Sequence, residues 1–142
     1  MNPKLRRVLA FSVPGKPISQ GSMAHNRAGI LYQKPEVVRW REKVQQVALI
    51  HARQAGLDLP LDEPVYVAAT FYMPRPKHPK FEVPAVQPDL DKLQRAIGDA
   101  LAPKHGQRVL QDDSRIVRWI NPEKVYATAG MERAEIEIWA HQ

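Results

Sequence analysis

PDLDKLQRAIGDALAPKHGQRVLQDDS, residues 88–114, is the stretch around which the chain is organised. Its apolar residues recur at the spacing of an amphipathic helix that begins near Asp89 and ends before Pro103. A polar turn follows, and a second acidic pair, Asp112 and Asp113, then leads into a short apolar strand. The stretch predicts a helix and a strand joined by a short connection, with carboxylates at the start of each.

Carboxylates are the side chains in this stretch that carry chemistry. Asp89 and Asp91 lie together at the predicted helix start, and Asp112 or Asp113 lies beside them if the chain doubles back far enough. Clustered carboxylates repel one another, and Mg²⁺, held by one or two of them with waters and a phosphate, would offset that charge. A simpler interpretation stays open, in which Asp89 caps the helix, Asp91 favours its dipole and the downstream pair forms a solvated turn.

The segment PDLDKLQRAIGDAL followed by QDDSRIV resembles the RusA family of Holliday junction resolvases, bacterial and prophage endonucleases that cut four-way DNA junctions. The family pattern is an aspartate pair, D-L-D-N, that opens a helix with a downstream D-A-L, followed by a turn and a D-D-x-x-V strand. The resemblance is strongest from Gln87 to Val117. It extends more weakly to VPGKP near the N-terminus and to EIEIW near the C-terminus.

The resemblance implies a homodimeric endodeoxyribonuclease that resolves four-way junctions in DNA recombination and repair. It implies Mg²⁺ as cofactor, with Mn²⁺ as a substitute. The metal-binding aspartates of the family match Asp89, Asp91 and Asp113, and Asp112 is expected to be an accessory ligand.

Two positions depart from the family pattern. Lys92 stands where the family has asparagine, and Arg95 stands where it often has a functional lysine. We count both as candidate catalytic residues that supply positive charge near the phosphate. Arginine cannot transfer a proton near neutral pH, so Lys92 is the candidate for any proton-transfer role of the missing lysine.

The charge of the chain favours a polyanionic partner. Lys and Arg number 21 against 15 Asp and Glu, which gives a net charge of +6. Basic side chains in the loop after the first strand, in the proline-rich segment before Asp89 and near the last strand are candidate DNA contacts: Lys16, Arg27, Arg75, Lys77, Lys80 and Lys124. Phe81 in the proline-rich segment could stack on an opened base. Each candidate has a simpler interpretation. The loop after the first strand could be an ordinary solvated loop, the proline-rich segment could be a mobile linker, and Lys124 could be a surface lysine.

Residues 1–142 are predicted to form a single α+β domain, in which one mixed sheet carries two main helices on one face. The predicted helices are Pro35–Ala55, with Trp40 in the core and His51 as a structural histidine, and Asp89–Ala102. The predicted strands are Val8–Val13, Val65–Tyr72, Arg115–Ile120 and Ala134–Trp139, and Asn121–Glu123 is predicted as a turn.

Composition excludes several other classes of function. The chain has no cysteine, so it holds no disulfide, zinc–thiolate site or thiol nucleophile. No apolar run reaches membrane-spanning length, and we expect a cytoplasmic protein without membrane contact.

Two rival functions remain: a metal-dependent nuclease with another substrate preference, and a non-catalytic or weakened DNA-binding protein.

Overall fold

A computed structural model describes residues 4–21 and 24–142, so Ser22 and Met23 of the predicted loop lie outside the described residues. Four strands form one mixed sheet: β1 (Leu5–Pro14), β4 (Val65–Met73), β5 (Ile116–Tyr126) and β6 (Arg133–His141). Their order across the sheet is β1–β6–β4–β5, and the β4–β5 pair is parallel whereas the other pairs are antiparallel. A separate two-stranded ribbon joins β2 (Ala24–His25) to β3 (Leu31–Tyr32).

Two helices accompany this sheet, α1 (Pro35–Gln54) and α2 (Leu90–Leu101). Proline suits the first turn of α1, and Gly56, with a φ of +70°, follows its end. α2 follows Asp89 at its N-cap and stops before Pro103. Both predicted helices are therefore confirmed to within one residue at each end. Within the described part of the chain, neither is long and apolar enough to cross a membrane.

The core lies between the helices and one face of the sheet. Every second residue of β4, from Val65 to Met73, is buried. The pairing continues that buried face across the sheet, since Val67 lies opposite Ile138 and Ile138 lies opposite Leu9. These residues share one hydrophobic cluster with side chains of α1 and α2: Trp40, Val44, Leu93 and Ile97. The opposite face carries Ser12, Thr70 and Glu135 along a shallow open groove. The predicted α+β fold, with one mixed sheet and two helices, is confirmed.

The connection from β4 through α2 to the parallel strand β5 positions the carboxylates. Such a crossover needs a helix-length connection, and the helix runs back along the strands. The first turn of α2 accordingly lies near the end of β5, where Lys124 Nζ donates to Pro88 O at 2.8 Å. The last turns of α2 lie near the start of β5, since a Cβ placed on Gly98 would lie 3.8 Å from Ile116 Cδ1.

β5 differs from its prediction in two ways. Arg115 belongs to a short 3₁₀ turn, Asp113–Arg115, and not to the strand. The turn predicted at Asn121–Glu123 is wrong, because the strand continues through these residues and is paired with β4 on both sides of an irregularity. Asn121 absorbs this irregularity with a φ of +44°. An Asn-Pro pair is a local turn signal, and pairing with a neighbouring strand overrides it.

Candidate active site

An open cleft of about 240 Å³ lies between α2 and the start of β5. Three carboxylates and one guanidinium line it: those of Asp91, Asp99, Asp113 and Arg95. Asp91, Arg95 and Asp99 follow one another at four-residue intervals, so they share one face of α2. Asp113 comes from the 3₁₀ turn that precedes β5. The fold thus brings one residue of each acidic pair, together with Arg95, into a common cleft.

Asp113 faces the middle and second half of α2. Its charge acts on Asp99, and Ile116, three residues later, reaches Gly98. The sequence left open how far the chain doubles back after α2. In the structure the chain brings Asp113 back to the side of α2, but not as far as the first residue of this helix.

Asp89 occupies the N-cap position of α2, as predicted, but its carboxylate accepts no capping hydrogen bond there. Its Oδ2 lies 3.6 Å from the ammonium of Lys92 instead, and both side chains are about half exposed. Asp89 does not line the cleft that Asp91 and Asp113 share. The capping interpretation of this carboxylate therefore has no contact to support it, and its proposed metal contact stays a prediction.

The downstream pair divides into two roles. The Asp112 carboxylate accepts hydrogen bonds from the backbone N–H and from the hydroxyl of Ser114, and so caps the 3₁₀ turn. These bonds hold the pKa of Asp112 below its ordinary value of 3.8, because they favour the charged carboxylate. Asp113 lies in the cleft. The solvated-turn interpretation thus describes the contacts of Asp112, whereas Asp113 is also exposed in this turn but lines the cleft as well.

Asp99 is a cleft residue that the sequence analysis did not select. Partial burial raises the pKa of its carboxyl above the ordinary value of 3.8. Arg41 of α1, whose Nη1 lies 3.9 Å from Asp99 Oδ2, opposes that shift, and the negative charge of Asp113 adds to it. The available signal was the eight-residue spacing from Asp91, which places both carboxylates on one helix face.

Two of the predicted DNA contacts meet beside the start of α2. Lys16, in the loop after β1, and Lys124, on β5, both line a smaller cavity of about 140 Å³. Lys16 is exposed. Lys124 is half-buried, and its ammonium donates to Val86 O and Pro88 O, each at 2.8 Å.

The proline-rich segment, residues 74–88, forms an arm that leads into Asp89. Arg75, Lys77 and Lys80 are exposed along it, and Lys80 Nζ lies 5.5 Å from the centre of the exposed Phe81 ring. The arm is attached to the rest of the fold through Lys124 and through buried Pro84. Arg27 is also exposed, in the turn of the β2–β3 ribbon.

The fit of this site to a metal ion can be judged from its donors. In residues 4–21 and 24–142, no group of three or more His, Cys, Asp or Glu side chains is placed to hold a metal. Mg²⁺ needs only one or two carboxylates when waters and a substrate phosphate complete its shell. Asp91 and Asp113 supply such a pair in one cleft. The chemistry of these two donors therefore suits Mg²⁺ in that mode, while Asp89 and Asp112 do not line this cleft.

A comparison with protein families adds an independent finding. The family model described as "Endodeoxyribonuclease RusA" matches residues 14–139. That segment runs from the last residue of β1 into β6, and so includes both helices and the whole cleft lining. No curated protein matches the chain.

Proposed function

The chain belongs to the RusA family of endodeoxyribonucleases, and we propose on this premise that it resolves four-way DNA junctions by Mg²⁺-dependent hydrolysis of phosphodiester bonds. The family implies a junction-resolving endonuclease. The metal, the residues that hold it, and a role in recombination and repair are our proposal. The observation that carries it is the shared cleft, which Asp91, Asp113 and Arg95 line.

In this proposal Asp91 and Asp113 hold the ion, with Mn²⁺ as a substitute. When bound, such an ion activates water and offsets charge on a phosphoryl oxygen. Arg95 supplies a fixed positive charge beside the scissile phosphate and takes no part in proton transfer. Lys92 is the second proposed source of positive charge, and its ammonium, 3.6 Å from Asp89 Oδ2, offsets the charge of that carboxylate at the helix start.

DNA binding rests on the distribution of charge around the cleft. The net charge is +6, and the cleft itself draws three carboxylates into one place, so the remaining surface is more basic than the total suggests. Exposed Lys16, in the loop after β1, and exposed Lys77 and Lys80, on the arm, are proposed phosphate contacts. A four-way junction offers two symmetry-related strands for cutting, which suits the homodimer that we propose.

The experiment is cleavage of a labelled four-way junction beside linear duplex of the same sequence, with Mg²⁺ or with EDTA. We expect paired symmetric cuts in the junction only, in Mg²⁺ only. Asp91→Asn should fold, bind the junction and lose cleavage, because it removes a carboxylate of the cleft. Asp58→Asn, the same change at an exposed aspartate outside the cleft lining, is the matched control and should cleave normally.

Each other outcome has a definite meaning. Equal cutting of duplex and junction would reject junction selectivity and leave a nuclease of another preference. Tight junction binding without cuts in Mg²⁺ or Mn²⁺ would reject catalysis. Normal cleavage by Asp91→Asn would remove Asp91 from the site while leaving the junction activity in place.

A further inference from the structure

Lys124 makes a contact that a phosphate-binding lysine does not need. Its ammonium donates at 2.8 Å to two backbone carbonyls of the arm, those of Val86 and Pro88. Charged donors make stronger hydrogen bonds than neutral ones. The side chain is half-buried, which separates it from the exposed lysines of the arm.

The position of Lys124 in β5 explains what these bonds connect. Lys124 pairs with buried Phe71 of β4, so it lies on the face of the sheet that the helices cover. Pro88 directly precedes Asp89, the N-cap of α2. β5 begins just after the 3₁₀ turn that carries Asp113. The two hydrogen bonds therefore join the second half of the strand that follows Asp113 to the end of the arm, which leads directly into Asp89 and α2.

The arm needs such an attachment. Residues 74–88 contain no helix or strand, and most of their side chains are exposed. Segments with few buried contacts open locally at low cost. Without the lysine, the end of the arm that leads into α2 would lose both of these hydrogen bonds to β5.

We propose that Lys124 is a positioning residue, which fixes the start of α2 against β5 and thereby sets the spacing of the Asp91 and Asp113 carboxylates. The expected effect on cleavage rests on the proposed function. The expected attachment of the start of α2 to β5 does not depend on it. It replaces the prediction that Lys124 contacts DNA directly.

The test compares Lys124→Met with Lys124→Arg, which retains donors, and uses Lys16→Met as a reference for a phosphate contact. For Lys124→Met we expect single-turnover cleavage at saturating protein to fall by roughly 10- to 100-fold, the usual effect of losing a residue that orients metal ligands. The metal concentration for half-maximal rate should rise. Lys124→Arg should recover part of the rate. Salt dependence separates the two roles, measured as the slope of log K for junction binding against log salt concentration. We expect Lys124→Met to keep the slope of the wild type and Lys16→Met to flatten it by about 0.9.

Hydrogen exchange supplies a readout that needs no activity. The amides of residues 85–93 should exchange faster in Lys124→Met, and Lys16→Met should leave them unchanged. Unaltered protection there would overturn the positioning role, whether or not the wild type cuts junctions. The positioning role would also be overturned if Lys124→Met flattened the salt dependence of junction binding and left the cleavage rate at saturating protein undiminished. Lys124 would then be a phosphate contact. Absence of cleavage by the wild type would reject the proposed function alone.

Discussion

Gly98 lies in the wall of the cleft, and the structure predicts whether its replacement by alanine stabilises or destabilises the protein. It is buried within α2 and its φ is not positive. A Cβ built there meets Ile116 Cδ1 at 3.8 Å, which is ordinary van der Waals contact. Alanine therefore fits without displacing a neighbour. Glycine costs about 0.5–1 kcal/mol relative to alanine inside a helix, so we expect Gly98→Ala to stabilise the protein by about that amount.

The matched control is Gly56→Ala, the same chemical change at the end of α1. Gly56 has open space around it but a φ of +70°, a conformation that disfavours any Cβ. Alanine there should destabilise the protein by about 1 kcal/mol. The two variants thus test whether backbone conformation, and not the added methyl group, decides the sign.

Urea unfolding measures both changes. With a typical denaturant dependence, a change of about 1 kcal/mol moves the midpoint by roughly half a molar, upward for Gly98→Ala and downward for Gly56→Ala. A downward shift for Gly98→Ala, with an unchanged slope, would refute the packing of α2 on β5 described here. Since Gly98 lines the cleft, junction cleavage by the stabilised variant also reports whether the added methyl group leaves room for substrate.

Two further predictions concern the turn before β5 and the arm. The Ser114 hydrogen bonds lower the pKa of Asp112 below its ordinary value of 3.8, so this carboxylate stabilises the folded state above that pH and loses its effect as the pH falls through the lowered pKa. Urea melts across acid pH should show a weaker acid dependence for Asp112→Asn than for wild type, and equal dependence would contradict the cap. Replacing Lys77 and Lys80 together by alanine should flatten the salt dependence of junction binding by about one unit per lost phosphate contact. An unchanged salt dependence would exclude the arm from the DNA interface.

Local signals were sufficient for the helices and for most of the sheet. Pro35 and Gly56 mark the ends of α1, and Pro103 marks the end of α2, each through the backbone of its own neighbourhood. Asp89 stands at the N-cap of α2 without a capping hydrogen bond. β5 was predicted too short because a contact between distant parts of the chain outweighs the local signal. Asn121 reads locally as part of a turn, but its strand is held by pairing with β4, about fifty residues earlier in the chain.

The site was only partly predictable. Residues from both acidic pairs line the cleft, yet their arrangement depends on how α2 lies across β5, which no local pattern specifies. The spacing of Asp91 and Asp99 puts them on one face of α2, but only the structure shows that Asp113 shares a cleft with that face. The role of Lys124 depends on carbonyls 36 and 38 residues away in sequence, and a backbone acceptor leaves no mark in the side-chain pattern.

The irregularity in β5 also bears on how the protein behaves in concentrated solution. β5 is an outer strand of the sheet, and a free strand edge is a template on which other chains can add strands and aggregate. Here Asn121 distorts the edge, Pro122 has no N–H to offer, and exposed Arg118 adds a charge. The wall of the cleft is consequently built on a strand that discourages self-association through its backbone, which leaves that side of the molecule accessible to a nucleic acid.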